Sequence, residues 1–244
     1  MEQEHCTLIT GASSGMGALC AKQFSGSRRL IMASENLGML ESVRKECCNP
    51  EKHILWHCNF ATDRESITKS FVNLMKEHNV VIDEYVHFAG LTKLTPLKTT
   101  NIETIDLIFS VNVFSIFEII KALLKKSNQK SLKSVVLISA LASMRGNVGN
   151  SVYAASKGAI NALTYTMSRE LAPDVRVNAL MPGAIETPMT ADLDPDYVAE
   201  MTHDTPLGWG KPQDVVDYVE FLLSDKAKWI TGQTLFVDGG RSTK

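Results

Sequence analysis

Apolar residues along this chain occur in short, nearly continuous runs that alternate with longer amphipathic segments. The short runs are rich in β-branched residues and are typical of strands buried on both faces. Predicted strands span Cys6–Thr10, Leu30–Ala33, His53–Cys58, Glu84–Phe88, Ser134–Ser139, Arg176–Met181 and Thr234–Val237. Predicted helices span Met16–Ser25, Asn36–Cys47, Arg64–His78, Ile102–Lys126, Val152–Leu171 and Pro212–Leu223.

Strands and helices therefore follow one another in turn along the chain. This order predicts an α/β fold, a Rossmann-type doubly wound parallel sheet of about seven strands with helices on both faces. No internal repeat and no Pro/Gly-rich linker divides the pattern, so we expect residues 1–244 to form a single domain. In such sheets ligands bind at the carboxyl ends of the strands.

Composition and charge narrow the class of protein only a little. The chain is 44% apolar and 21% charged, and its net charge of −2 exerts no long-range attraction on nucleic acid or anionic membranes. No basic and apolar leader opens the sequence, and no uncharged apolar run is long enough to cross a bilayer. The cysteines form no C-x-x-C pair, and the histidines show no ligand spacing such as H-x-x-x-H on one helix. We therefore expect a cytoplasmic protein with reduced thiols and no metal.

A glycine-rich turn, TGASSGMG over residues 10–17, joins the first predicted strand to the first predicted helix. Glycines at such a turn let the backbone approach a pyrophosphate, whose charge is then met by amide N–H groups and the positive end of the helix dipole. Its G-x-x-x-G-x-G spacing differs from the general dinucleotide pattern, so an ordinary glycine-rich turn is the alternative. The candidate cofactor contacts in this turn are Gly11, Ser13, Ser14, Gly15, Met16 and Gly17.

Tyr153 and Lys157 lie four residues apart on a predicted helix and so share one of its faces. A phenol with an ordinary pKa of about 10 is a poor proton donor or acceptor at neutral pH. A fixed positive charge beside it favours the phenolate and is expected to lower that pKa. Such a pair suits proton exchange with an alcohol or a carbonyl. Alone, the spacing is also common in helices without any catalytic role.

These features together resemble the short-chain dehydrogenase/reductase family. The matching motifs are T-G-x-x-x-G-x-G, Y-x-x-x-K, PGAIET over 182–187 and ITGQ followed by VDGG over 230–240. The order agrees over nearly the whole chain, and the pattern is most similar to members that resemble 3-oxoacyl-carrier-protein reductase. The resemblance implies that Tyr153 is the general acid/base, that Lys157 tunes it and holds the nicotinamide ribose, and that Asn112 anchors a water that relays protons.

The resemblance also implies further cofactor contacts. Ile185 would hold the nicotinamide through its backbone and Thr187 through its hydroxyl, while Asn59 stands where an aspartate commonly meets the adenine amino group. An amide oxygen is able to accept that bond. The remaining expected contacts are Phe60, Ala89, Gly90, Pro182 and Gly183.

One departure from the family pattern concerns the catalytic serine. Counting back thirteen residues from Tyr153 leads to Ala140, which has no hydroxyl. Ser139 and Ser143 are candidate substitutes, and Ser143 is slightly preferred because it lies in the loop expected over the active site. Loss of one oxyanion donor typically lowers the rate by about 10²–10³. A second departure is Phe88, where the family usually has asparagine before Ala-Gly.

Cofactor preference depends on the end of the second strand, where an acidic residue that binds both ribose hydroxyls would select NAD. Ser34 stands there and is able to hydrogen-bond a phosphate, whereas Glu35 follows one position later. Ser14 replaces an arginine that is frequent in NADP-using relatives. On balance we favour NADP over NAD.

We expect residues 187–209 to form a mobile lid over the substrate, with an apolar surface offered by Met189, Leu193, Tyr197, Met201 and Trp209. The substrate is expected to be a small carbonyl or alcohol compound, with a 3-oxoacyl thioester held on a carrier protein as the first candidate. A sugar, polyol or other small hydroxylated metabolite is the alternative. A nucleotide-binding regulatory protein with weakened catalysis is the alternative from another class, because Ala140 replaces the serine.

The predicted helix Ile102–Lys126 is apolar nearly all round. A helix that packs on one sheet needs only one apolar stripe, so the excess predicts burial against a second subunit. Family resemblance also implies a homodimer or homotetramer. We expect no nucleic acid and no membrane among the partners.

Overall fold

The computed structural model describes residues 3–191 and 193–243, except for the side chain of Tyr197, one of the expected lid residues. Its strands are β1 (Glu4–Thr10), β2 (Leu30–Ser34), β3 (Ile54–His57), β4 (Val80–His87), β5 (Ser134–Ile138), β6 (Arg176–Pro182) and β7 (Thr234–Val237). Its helices are α1 (Gly15–Phe24), α2 (Leu37–Lys45), α3 (Ile67–Glu77), α4 (Ile102–Phe109), α5 (Ser115–Leu123), α6 (Ser151–Glu170), α7 (Pro195–His203) and α8 (Pro212–Leu223).

Within the described residues the strands form one seven-stranded sheet in the order β3-β2-β1-β4-β5-β6-β7. Every neighbouring pair of strands is parallel. The chain builds outward from β1 to β3 on one side and then returns to add β4 to β7 on the other. The order therefore reverses between β1 and β4, and the crevice outside their carboxyl ends is where ligands bind in open α/β sheets. The predicted Rossmann-type fold is confirmed.

The core consists of two apolar layers, one on each face of the sheet. Successive strand residues point to opposite faces, so Leu8 packs into the layer under α3, α5 and α6 whereas Ile9 packs into the layer under α1, α2 and α8. Phe71 of α3 and Phe24 of α1 are fully buried members of these two layers. Helices thus cover both faces, and each contributes one apolar stripe to the core.

Strand β4 is longer than its apolar pattern predicts, because it begins at Val80 rather than at Glu84. The charged residues Asp83 and Glu84 interrupt the apolar run that begins at Val80, so the pattern does not reveal the first half of the strand. In the fold both side chains have partners, since Arg28 Nε donates to Glu84 at 2.7 Å and His5 lies 3.2 Å from Asp83. A paired charge in the middle of a strand costs much less than an unpaired one.

The predicted helix Ile102–Lys126 is interrupted. Residues Ser110–Phe114 form a π segment between α4 and α5, in which the Ser115 N–H bonds the Ser110 carbonyl five residues earlier. A π turn holds one more residue than an α turn and frequently occurs at functional sites. The expected lid region also contains a helix of its own, α7.

Candidate active site

A cavity of about 530 Å³ lies at the carboxyl ends of β1 to β4. Most of the expected cofactor contacts line it. These lining residues are Gly11, Ser13, Ser14, Gly15, Met16, Gly17, Ser34, Asn59, Phe60, Ala89, Gly90 and Thr187. Phe88 and Glu35 also line this cofactor cavity.

The glycine-rich turn leaves no room for side chains where β1 approaches β4. Gly11 has a φ of +67°, and a Cβ there would lie 2.7 Å from the Ala89 backbone nitrogen. A Cβ on Gly17 would collide with the Gly11 carbonyl. Both positions therefore require glycine. The resulting cradle opens onto the N-terminus of α1, whose N-cap residue Ser14 makes no side-chain capping bond. Free N–H groups and a free hydroxyl at a helix N-terminus fit the pyrophosphate of a dinucleotide.

Ser34, at the end of β2, is bonded to the glycine-rich turn. Its hydroxyl donates to Ser13 Oγ at 2.8 Å, and both residues line the cofactor cavity. The carboxylate of Glu35, one position later, belongs to an exposed residue. Two adjacent hydroxyls and a solvated acid therefore face the place where a ribose 2′ substituent would be recognised.

Asn59 is expected from the sequence to accept a hydrogen bond from adenine through its amide oxygen. The structure instead leaves its amide nitrogen, a donor, to bind the base. Asn59 Oδ1 already accepts the backbone N–H groups of Ala61 at 2.9 Å and Thr62 at 3.4 Å. A carbonyl oxygen has two lone pairs, so both are used. Asn59 lines the cavity, and its amide nitrogen is the group left to bind a base.

A second cavity of about 360 Å³ lies beside the first. Tyr153, Ala140, Pro182 and Gly183 line it, and Met189 lines both cavities. Its other walls combine apolar and polar side chains. These are Thr92, Leu94, Leu141, Ala142, Arg145, Asn147, Asn150, Thr190, Leu193, Met201 and Arg241. We call it the substrate cavity.

Lys157 lies behind Tyr153 on α6, as the four-residue spacing predicts. Its Nζ is 5.6 Å from the centroid of the Tyr153 ring and donates to the Ile138 carbonyl at 2.8 Å. A Cβ on Gly90 would be 3.3 Å from Lys157 Nζ and 3.4 Å from Asn112 Oδ1. The ammonium, the amide oxygen and the cofactor-cavity wall at Gly90 therefore meet at one point.

Burial, rather than the charge of Lys157, is the larger influence on the pKa of Tyr153. Burial raises the pKa of the Tyr153 phenol to about 12, although the side chain keeps some surface where it lines the substrate cavity. Burial also lowers the pKa of the Lys157 ammonium to about 8. Removing a charge from water is the dominant influence on both groups. At neutral pH the site therefore holds a protonated phenol beside a protonated amine, which is the state needed to donate a proton.

Asn112 is fully buried in the π segment and bonds both the backbone N–H and the carbonyl of Leu91. Its Oδ1 accepts the Leu91 N–H at 2.9 Å, and its Nδ2 donates to the Leu91 carbonyl at 3.1 Å and to Ser156 Oγ at 2.9 Å. Both amide hydrogens are used, whereas Oδ1 keeps a second lone pair. Asn112 thus ties the loop after β4 to α6.

His87 closes the buried end of β4. Its Nδ1 lies 2.9 Å from Thr10 Oγ1 and 2.7 Å from the Tyr85 hydroxyl. Burial and, to a smaller extent, the charge of Lys157 together lower the pKa of His87 to about 3, although a hydrogen bond to the Val111 backbone opposes them in part. The imidazole is therefore neutral and adds no second positive charge next to Lys157.

Neither candidate serine reaches the substrate cavity, which corrects the expectation that Ser143 or Ser139 replaces the hydroxyl missing at Ala140. The Ser139 hydroxyl donates to the Lys157 carbonyl at 2.9 Å, on the opposite side of the chain. The Ser143 hydroxyl donates to the Ala140 carbonyl at 2.7 Å and accepts from Asn161 Nδ2 at 2.9 Å. Both are occupied with structural bonds.

The side chain of Ile185 also lies outside both cavities. It is buried in the core layer under α1, α2 and α8, and its carbonyl accepts from Thr190 Oγ1 at 2.9 Å. Sequence reasoning missed Arg145 and Arg241, which line the substrate cavity. Neither belongs to a recognisable motif, and a residue so near the chain end is ordinarily expected to be exposed.

Within residues 3–191 and 193–243, no helix combines the length and hydropathy that crossing a membrane requires. In the same residues no three His, Cys, Asp or Glu side chains are grouped as they would be around a metal ion.

Comparison with known proteins gives consistent results. A family model described as enoyl-(acyl carrier protein) reductase matches residues 11–242. The chain is 32% identical to 3-oxoacyl-(acyl-carrier-protein) reductase FabG of Thermotoga maritima over 236 residues, which cover 96% of each protein. It is also 32% identical to L-xylulose reductase of Bos taurus over 239 residues, covering 96% of this chain and 94% of the relative.

Solved structures match over the same length. A short-chain dehydrogenase/reductase of the glucose/ribitol dehydrogenase type from Brucella melitensis superposes with a TM-score of 0.87 at 32% identity, covering 99% of this chain and 97% of that one. A 4-hydroxyisoleucine dehydrogenase complexed with NADH superposes with a TM-score of 0.90 at 26% identity, covering 99% of both chains.

Proposed function

Because this chain belongs to the short-chain dehydrogenase/reductase family and is an NAD(P)-dependent oxidoreductase of that family, we propose that it reduces a carbonyl compound to the alcohol. The observation that carries this proposal is the position of Tyr153. Its phenol lines the substrate cavity while Lys157 lies behind it, and Met189 forms a wall common to this cavity and the cofactor cavity. A regulatory protein without turnover has no need of this arrangement.

When bound, the reduced nicotinamide supplies the hydride that reaches the carbonyl carbon. Tyr153 donates its proton to the carbonyl oxygen, and a pKa of about 12 keeps that proton available at neutral pH. The positive charge of Lys157 stabilises the phenolate that remains. Asn112 holds the loop after β4 in place and offers the free lone pair of Oδ1 to a water that returns a proton to this end of the site.

The cofactor proposed is NADPH. The end of β2 carries Ser34 rather than an acid, and its hydroxyl lies 2.8 Å from that of Ser13. Small hydroxyl donors suit a phosphate, whereas the charge of the exposed Glu35 is screened by water. Dissociation constants for NADPH and NADH test this preference, and NADH binding about tenfold tighter would reverse it.

The names of the relatives suggest two classes of substrate. The similarity to 3-oxoacyl-carrier-protein reductases makes a 3-oxoacyl thioester the first candidate. The similarity to L-xylulose reductase makes a sugar or polyol the second. In either case we propose that residues 187–209 act as the lid, since Met189, Leu193 and Met201 line the substrate cavity.

We also propose a homodimer or homotetramer that uses the face of α4 and α5. Phe117 and Leu124, seven residues apart, are 46% and 53% exposed there. Apolar side chains at this spacing share one face of a helix, and large exposed ones favour contact with a second subunit. A monomeric mass by light scattering at micromolar concentration would contradict this part of the proposal.

Oxidation of NADPH with a panel of 3-oxoacyl thioesters, diketones and keto sugars tests the activity. Tyr153→Phe should lower kcat/KM by about 10²–10⁴, because it removes the proton donor. Tyr165→Phe is the matched control on the same helix, since the Tyr165 hydroxyl bonds Thr234 Oγ1 at 2.9 Å and the residue is 50% exposed. Equal activity of both variants would reject Tyr153 as the acid.

A further inference from the structure

Arg241 is a buried cation in the wall of the substrate cavity. The residue is only 6% exposed, and it lines the same cavity as Tyr153 and Ala140. Its Nε is buried without a hydrogen-bond partner, and none of the ion pairs among the described residues includes it. Buried guanidinium groups are ordinarily paired with an anion, because burying an unpaired charge is costly.

The backbone fixes Arg241 in this position. Asp238 accepts the Gly240 N–H at 3.1 Å and the Ser242 N–H at 2.6 Å, which makes a tight turn around Arg241. Gly239 and Gly240 have positive φ values, and a Cβ on Gly239 would lie 2.8 Å from Thr205. The turn is therefore packed against the segment that follows α7, and Arg241 faces the cavity on a rigid support.

The charge of the other cavity arginine is already met. Arg145 Nη2 lies 2.6 Å from Asp204 Oδ2, and Arg145 Nη1 donates to the Arg241 carbonyl at 3.3 Å. None of the described residues that line the cavity is an aspartate or glutamate. Among the described residues that line the cavity, Arg241 is therefore the cation that no carboxylate side chain pairs.

We infer that the substrate supplies the missing anion. On the premise of the proposed carbonyl reduction, the substrate is a compact anionic carbonyl compound whose carboxylate or phosphate binds Arg241 while its carbonyl oxygen faces Tyr153. A guanidinium presents a planar fork that matches the paired oxygens of either group. A cavity of about 360 Å³ is at the small end of ligand sites, which favours a compact substrate. A carrier-bound thioester is not compact and has no anionic group next to its ketone.

Matched pairs of carbonyl compounds test this inference. Acetoacetate is compared with ethyl acetoacetate, and dihydroxyacetone phosphate with dihydroxyacetone. Hydrogen bonds to charged groups contribute enough that kcat/KM should favour the anion of a pair by about 10- to 100-fold. Whichever pair shows the larger ratio identifies the anion as a carboxylate or a phosphate.

Variants assign the preference to Arg241. In Arg241→Gln the ratio of kcat/KM for anion over neutral partner should fall by about tenfold or more. This ratio is insensitive to a general loss of folding or activity, because such a loss lowers kcat/KM for both compounds of a pair. Arg241→Lys keeps the charge and should retain a larger share of the ratio. Arg145→Gln should lower the ratio less than Arg241→Gln, since Asp204 already meets the Arg145 charge. A larger loss in Arg145→Gln would overturn the assignment.

The remaining outcomes separate this inference from the proposed function. Equal kcat/KM for charged and neutral partners would overturn the inference and leave carbonyl reduction intact. Absence of turnover with every compound would overturn the proposed function. In that case, binding of succinate and of inorganic phosphate to the full chain, measured by calorimetry, would test the anion site without requiring turnover. About tenfold weaker binding of either in Arg241→Gln supports the site, and unchanged binding rejects it.

Discussion

Restoring a hydroxyl at Ala140 should accelerate the reaction. Ala140 lines the substrate cavity with Tyr153 and is 9% exposed. Its backbone is extended, with φ −161° and ψ 153°, which any residue adopts without strain. Serine adds a single oxygen on the cavity wall, so Ala140→Ser supplies a second hydrogen-bond donor for the carbonyl oxygen at little steric cost.

The size of the effect follows from the present hydrogen bonds. Neither the Ser139 nor the Ser143 hydroxyl assists Tyr153 beside Ala140, because they are bonded to the Lys157 and Ala140 carbonyls. One well-placed oxyanion donor is worth about 10²–10³ in rate. The cavity wall at Ala140 is not shaped for a serine hydroxyl, so the added donor should recover only part of this rate factor. We therefore expect kcat to rise by about tenfold or more.

Single-turnover measurements of cofactor oxidation are the appropriate assay, because they separate chemistry from product release. Ser139→Ala and Ser143→Ala are the matched controls. Both should change the chemical rate by less than about threefold. Ser143→Ala should nevertheless lower the free energy of unfolding by about 1 kcal/mol, since it leaves the buried Asn161 amide with only the weaker Met181 sulfur as acceptor.

Two results would refute this reasoning. A rate that stays unchanged or falls in a well-folded Ala140→Ser protein would show that the wall at Ala140 does not face the reacting oxygen. A tenfold or larger loss in Ser143→Ala would show that its hydroxyl leaves the Ala140 carbonyl during the reaction.

Further predictions concern charge and space around the site. Burial lowers the pKa of Lys157 to about 8, so its charge is present below that pH and is lost above it. The single-turnover rate of reduction should therefore fall as pH rises through about 8, and a rising rate would exclude a role for the charged form. Gly11→Ala should weaken NADPH binding by about tenfold or more, because its Cβ would meet backbone at 2.7 Å. Gly146→Ala, with no atom within 4 Å of the added Cβ, is the control, and a fluorescence titration with NADPH measures the affinity of both variants. Gly90→Ala should lower kcat more than it changes cofactor affinity, because its Cβ would crowd Lys157 Nζ and Asn112 Oδ1 at 3.3 and 3.4 Å. A larger change in cofactor affinity than in kcat would reject crowding of Lys157 and Asn112 as the cause.

The sheet and the cofactor cradle could be predicted from sequence because their determinants are local. A buried parallel strand must be apolar throughout, and a backbone that approaches another backbone closely must be glycine, as at Gly11 and Gly17. The four-residue spacing of Tyr153 and Lys157 likewise places them on one face of a helix whatever the rest of the chain does.

The features that escaped prediction depend on distant parts of the chain. The direction of the Ser139 and Ser143 hydroxyls is set by acceptors that the fold places beside them. The pKa of Tyr153 depends on how deeply packing buries the phenol, which a neighbour's charge alone does not reveal. Arg241 is buried because a turn near the chain end folds back against the segment after α7.

The π segment between α4 and α5 also bears on protein engineering. Deleting one residue from Ser110–Phe114 would regularise the helix, and regular helices are usually preferred in idealised designs. A π turn absorbs its extra residue locally, so the flanking helices would keep their phase and the change would fall on the segment itself. The amide of Asn112 would then lose its hold on Leu91. A search for thermostable variants that rewards helix regularity would thus select against the geometry that this segment maintains.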